Sequence, residues 1–137
     1  MSLPERLGGK VGFKVKALVV DDSSTMRSIL RMTLRGAGFE VVEAGNGMEA
    51  LGQLKNSGSV AVALVDWNMP VMNGLDFTKA IRAQCAYDNL RILMVTSETE
   101  IDQVTRAMNA GANEYLMKPF SREVLIAKLD LLDIFEE

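Results

Sequence analysis

Asp66 closes the apolar run Val60-Ala61-Val62-Ala63-Leu64-Val65, and Asp21-Asp22 follow directly on Ala17-Leu18-Val19-Val20. Short apolar runs rich in valine and leucine read as strands buried on both faces, so each would deliver its carboxylates to the mouth of a sheet. Three carboxylates brought together disfavour one another's ionisation, and a divalent cation removes the conflict. The chain has no histidine and one cysteine, Cys85, so ligation would be by oxygen alone. That selects a hard ion such as Mg2+, with Mn2+ able to substitute, and such ions are commonly shared between one or two carboxylates and phosphate oxygens. Two further strand ends add to the set: Ile92-Leu93-Met94-Val95 runs into Thr96-Ser97-Glu98, and Tyr115-Leu116-Met117 into Lys118-Pro119. A hydroxyl and an ammonium facing a carboxylate cluster form an electrostatic cradle suited to a phosphoryl group. Taken singly, Asp22, Ser23 or Ser24 would cap a helix, Thr96 would do the same, and Lys118 would be solvated. Their coincidence at neighbouring strand ends is what argues for a site.

The elements that must position these residues alternate. Strands are expected at Val15–Val20, Glu40–Ala44, Val60–Val65, Arg91–Val95 and Glu114–Met117. Between them lie segments with helical spacing, with Met26, Ile29, Leu30, Thr33 and Leu34 on one face and Ile101, Val104 and Met108 on another. A last helix starts near Ser121 and carries Val124, Leu125, Leu129 and Leu132. Glycines at Gly36-Ala37-Gly38, Gly58 and Gly111 suit helix C-terminal caps. Five strand–helix repeats imply an α/β fold, (βα)5, with a doubly wound parallel sheet and right-handed crossovers. With strand order 2-1-3-4-5, the point where order reverses lies between the first and third strands, beyond whose carboxyl ends ligands bind. Those are the strands that end in Asp21-Asp22 and Asp66.

Size and composition narrow the classes further. A chain of 137 residues supports one domain, expected over residues 14–137, with residues 1–13 a flexible extension. Apolar residues make up 48% and the formal charge is −3, which gives no electrostatic case for nucleic acid or an anionic membrane. No apolar run approaches the ~20 residues of a membrane span, so a cytoplasmic protein is expected. The lack of histidine removes Ser-His-Asp and Cys-His catalysis. Cys85 reads as a partly buried structural thiol, Phe120 as packing, and most of the nine methionines, Met26, Met94 and Met117 among them, as core filling.

The motifs Asp21-Asp22-Ser23, Asp66-Trp67-Asn68-Met69-Pro70 with Gly74, Thr96-Ser97-Glu98 and Lys118-Pro119-Phe120 together resemble those of response-regulator receiver domains, over roughly Val15 to Glu136. Within that family the chain is most similar to the single-domain regulators of chemotaxis, whose fold is flavodoxin-like. The resemblance implies that Asp66 accepts a phosphoryl group from a histidine kinase. Asp21, Asp22, Asp66 and the backbone carbonyl of Asn68 would hold Mg2+, and Lys118 would pair with the phosphoryl oxygens. It also implies that Thr96 and Tyr115 are switch residues, that Asn68 and Glu98 tune dephosphorylation, that small Ser97 leaves the phosphoryl group accessible, and that Lys118–Pro119 is cis. Such a protein is a phosphoacceptor switch that catalyses only its own phosphorylation and dephosphorylation. Implied partners are a histidine kinase, a target such as the flagellar motor switch, and a phosphatase, acting on a monomer. A phosphorelay intermediate, or a receiver excised from a larger regulator, would share these motifs. A haloacid-dehalogenase-type phosphatase also uses an aspartyl phosphate, but it wants a second acid where Ser23 follows Asp21. A flavodoxin would need to cradle a phosphate where Asp21-Asp22 repel one.

Overall fold

A computed structural model describes residues 15–97, 101–132 and 134. The elements alternate as β1 (Lys16–Val20), α1 (Ser24–Gly36), β2 (Glu40–Ala44), α2 (Gly47–Asn56), β3 (Val62–Asp66), α3 (Gly74–Arg82), a 3-10 turn (Cys85–Tyr87), β4 (Arg91–Thr96), α4 (Ile101–Ala110), β5 (Glu114–Met117) and α5 (Arg122–Leu131). The five strands form one parallel sheet in the order β2-β1-β3-β4-β5, as expected. β1 and β3 pair from Ala17↔Val62 to Val20↔Val65, so Asp21 and Asp66 leave the sheet side by side. The expected domain start at residue 14 and the extension before it lie outside the described residues.

Period-two alternation divides the sheet into two cores. Ala17, Val19, Leu64, Leu93, Val95 and Leu116 pack with Leu30 and Leu34 of α1 and Leu125 and Leu129 of α5. Leu18, Val20, Ala63, Val65, Ile92 and Met94 face the other way, onto Leu54 of α2, Phe77 and Ile81 of α3 and Ala107 of α4. Each large aliphatic side chain so buried is worth about 1.5–3 kcal/mol, and the three central strands contribute many of them.

Capping fixes where the helices begin, and with them the loops that carry the site. Ser23 Oγ accepts from the Met26 amide at 3.2 Å, Asn46 Oδ1 from Glu49 at 2.9 Å, Asn73 Oδ1 from Asp76 at 2.8 Å and Ser121 Oγ from Val124 at 3.1 Å. Each satisfies an amide that the helix itself cannot. After α1 the chain turns through Gly38, whose φ of 100° is left-handed, and Gly111 after α4 has φ 116°.

Three expectations about faces need correction. Ile29, Met108 and Val124, placed on buried faces by spacing, are 48%, 39% and 46% exposed. The helices meet the sheet along narrower stripes than the spacing allowed, and α4 buries small Ala107 at its contact with the sheet. Cys85 is exposed within the 3-10 turn rather than partly buried. Strand ends also move: β1 begins at Lys16, β3 runs from Val62 through Asp66, and β4 ends at Thr96.

Candidate functional site at the carboxyl end of the sheet

Asp66 is the last residue of β3, in register with Val95 of β4, and the Trp67 amide donates to Val95 O at 3.0 Å. The chain then passes Asn68, Met69 and Pro70 to Val71, whose φ of 69° is strained for a β-branched residue. At Gly74 it doubles back. A Cβ there would collide with the backbone carbonyl of Asp66, and the Gly74 amide donates to Trp67 O at 3.1 Å, so glycine lets α3 start directly behind the acid. Asp66 is only 8% exposed.

Asp21 leaves β1 with its amide bonded to Ala44 O at 3.1 Å and is 2% exposed. Its Oδ1 accepts from the Ser23 amide at 2.9 Å, and its backbone carbonyl from Arg27 Nη1 at 2.6 Å. Arg27 and Arg31 are both paired with Glu43 of β2, so these cations are engaged outside the acid cluster. Asp22 is exposed. Ligand oxygens of Asp21, Asp22 and Asp66 all lie within 4.8 Å of one another. Three oxygen donors, two buried and one open to solvent, fit a hard divalent cation that keeps part of its hydration.

Lys118 reaches the cluster from the end of β5. Its amide donates to Thr96 O at 2.7 Å, tying β5 to the end of β4, and the Lys118–Pro119 peptide is cis as the motif resemblance implied. The Nζ lies 3.2 Å from Asp66 Oδ1 and 3.3 Å from Asp21 Oδ2. Burial, reinforced by the charge of Asp21 and opposed by Lys118, pushes the Asp66 carboxyl up to about 6. Burial disfavours the Lys118 ammonium, but Asp66 and Asp21 outweigh it and hold its pKa above the usual lysine value. One ammonium shared between two buried carboxylates leaves net negative charge at the site.

Thr96 is buried at 2% exposure, and its Oγ1 donates to Gln103 Oε1 of α4 at 3.0 Å. Tyr115 is half-buried on β5 with Lys128 Nζ 4.3 Å from its ring centroid, and Lys128 is also paired with Glu114 at 3.0 Å. Asn68 and Ser97 are exposed at the mouth. Glu98 lies outside the described residues. The fold thus brings Asp21, Asp22, Asp66 and Lys118 together, with Thr96 and Asn68 beside them and Tyr115 one strand away. Sequence reasoning missed Arg27, Gln103 and Arg106. Arg27 could have been found from its position on the first turns of α1 beside the acids, whereas nothing in the spacing marks the other two. Arg106 lies with its guanidinium carbon 5.7 Å from the Trp67 ring centroid.

Comparison with known proteins agrees with this arrangement. The family model described as "Response regulator receiver domain" matches residues 17–130. Chemotaxis protein CheY1 of Helicobacter pylori is 45% identical over 119 residues, 86% of this chain and 96% of that protein. The chemotaxis protein CheY homolog of Campylobacter jejuni is 47% identical over 117 residues, 85% of this chain and 90% of that protein. Among solved structures, chemotaxis protein CheY4 of Vibrio cholerae superposes with a TM-score of 0.82 at 39% identity, covering 88% of this chain and 99% of that one. Among the described residues no helix is long and apolar enough to cross a membrane. These matches, together with an acid cluster at the switch point of a 2-1-3-4-5 sheet, identify the chain as a member of the response-regulator receiver domain family, the phosphoacceptor switches of two-component signalling.

Proposed function

We propose that Asp66 is the phosphoacceptor of a chemotaxis switch. The observation that carries this is a difference between the two buried acids. Both Asp21 oxygens are engaged, Oδ1 by the Ser23 amide and Oδ2 by Lys118. Asp66 accepts from Lys118 through Oδ1, and among the described residues no hydrogen bond is made to its Oδ2. That oxygen is the nucleophile. It forms the O–P bond as the P–N bond to the kinase's phosphohistidine breaks, with the electron pair returning to the imidazole. Lys118 already touches the acceptor and stays to pair with the phosphoryl oxygens. The Thr96 hydroxyl turns to hydrogen-bond one of them, and Tyr115 moves inward from beneath Lys128. Asn68 and Glu98 tune the attack of water on the resulting acyl phosphate.

Asp21, Asp22, Asp66 and the Asn68 carbonyl would hold Mg2+, or Mn2+ in its place. When bound, the ion offsets the surplus negative charge of the acids and of the entering phosphoryl group. The output surface is the face of α4, β5 and α5, where Met108, Val124 and Leu131 of the two helices are exposed. The relatives are named chemotaxis proteins, which supports a histidine kinase upstream, the flagellar motor switch downstream and a phosphatase acting between them, in the cytoplasm. The test is phosphorylation from a small-molecule donor followed by intact-mass measurement. Wild type should gain one hydroxylamine-labile phosphoryl group, and Asp66→Asn none. Labelling that persists in Asp66→Asn, or that resists hydroxylamine, would remove Asp66 as the acceptor.

A further inference from the structure

The contact between Thr96 and Gln103 joins the site to a helix that carries none of the acids. Gln103 stands in the first turn of α4, half-buried, and accepts the Thr96 hydroxyl hydrogen at 3.0 Å. One turn further along, Arg106 lies over Trp67, the residue that follows Asp66. Residues three apart share a helix face, so α4 rests on the ends of β3 and β4 through two polar side chains. A hydroxyl has one proton to donate. Thr96 can therefore give it to Gln103 or to a phosphoryl oxygen, but not to both.

We infer that Gln103 is a positioning residue of the switch, holding the Thr96 hydroxyl toward α4 in the resting protein and competing with the phosphoryl group for its proton. This rests on the proposed role of Thr96 as a hydrogen-bond donor to that group. The exchange is nearly balanced, because Gln103 is accessible enough for water to replace the lost donor. Gln103 thereby sets how strongly a phosphoryl group must draw on Thr96 before the switch turns. It also couples that movement to α4, since the helix loses a polar contact to the end of β4 when Thr96 turns away.

The experiment is titration of the full chain with beryllofluoride in the presence of Mg2+, read by fluorine NMR of the bound species. Gln103→Met keeps the length of the side chain and removes its acceptor. It should tighten binding about threefold to tenfold, the effect of releasing one hydrogen bond. Gln103→Glu, a stronger acceptor, should weaken binding. In a Thr96→Val background Gln103→Met should change nothing. A merely structural role for Gln103 would give the opposite sign, because damage to α4 would loosen the site. If Thr96→Val weakens binding while Gln103→Met fails to tighten it, the role of Thr96 stands and the role of Gln103 is overturned. If Thr96→Val leaves binding unchanged, the reading of Thr96 fails and the inference falls with it.

Discussion

Arg82 and Lys118 are both half-buried cations beyond strand ends, at opposite ends of the same sheet, and they are satisfied in opposite ways. Arg82, at the end of α3, donates to Gly111 O at 2.9 Å, Tyr87 O at 3.0 Å, Leu90 O at 2.7 Å and Asn113 Oδ1 at 2.8 Å. All four acceptors are neutral and all belong to turns that enter β4 and β5. Lys118 meets two carboxylates in a cluster of three, one of which stays protonated up to about pH 6. At the amino end Arg82 has its partners in place, whereas the carboxyl end keeps a surplus of negative charge and, among the described residues, an acceptor oxygen to spare. Stability and chemistry are therefore placed at different ends of the strands.

Two substitutions test that separation, and the larger effect belongs to the carboxyl end. Asp66→Asn should abolish phosphorylation altogether, yet raise the melting temperature in chelator, because it removes a buried carboxylate that opposes its neighbours. Arg82→Ala should do the reverse. Leaving the carbonyls of Leu90 and Gly111 without their Arg82 donor, while Tyr87 O keeps only the Leu90 amide, should cost about 2–4 kcal/mol of stability, with the initial rate of phosphorylation unchanged. Gly111→Ala should follow Arg82→Ala at about 1–3 kcal/mol, since Gly111 is left-handed and a Cβ there would strike the Arg82 side chain. Denaturant midpoints and phosphorylation time courses measured on the same samples check both. If Asp66→Asn lowers stability, or Arg82→Ala slows phosphorylation, the two ends are not separable.

A smaller effect sharpens the electrostatic half of the comparison. The folded-state pKa of Asp66, about 6, stands above the ordinary value of 3.8, so between these values the folded state binds more protons than the unfolded one. The contribution of Asp66 to stability is therefore fully present below about pH 4 and is lost as pH rises through about 6. In chelator, the difference in melting temperature between Asp66→Asn and wild type should be small at the acid end of this window and grow toward neutral pH. Saturating Mg2+ should shrink it by favouring the ionised carboxylate. A difference that is flat with pH would mean that burial and Asp21 do not hold this carboxyl up.

What the sequence made legible were the features that depend on short-range pattern. The apolar runs before Asp21 and Asp66 placed both acids at adjacent strand ends, and the observed β1–β3 register brings them together. Gly38, Gly58 and Gly111, read as cap signals, all have positive φ. Which oxygen is spoken for was not legible. It depends on the Ser23 amide turning back onto Asp21 and on the reach of Lys118 across two strands. Nor could spacing show that Ile29 and Met108 fall outside their helices' contact stripes, because three-to-four periodicity identifies a face without fixing its width. Gln103 and Arg106 were invisible for a related reason: their partners, Thr96 at the end of β4 and Trp67 just beyond β3, come from separate segments of the chain, and their docking depends on how α4 is set down.

The smallest effect separates the two contributions assigned to one residue at the mouth. Asn68 is exposed two residues beyond Asp66, and its proposed roles are to orient attacking water through its side chain and to bind the cation through its backbone carbonyl. Alanine removes the amide and keeps the carbonyl. Asn68→Ala should therefore leave Mg2+ affinity, read from Trp67 emission, as it is in wild type. It should slow loss of the phosphoryl group about twofold to tenfold, the range for one hydrogen bond that helps to orient the attacking water. Arg82→Ala, at the far end of the sheet, should not alter that decay even though it weakens the fold more. Equal decay in Asn68→Ala and wild type would restrict position 68 to its backbone. Loss of Mg2+ affinity would instead mean that the amide shapes the loop, so that its effect on decay comes through the position of the ion rather than through water.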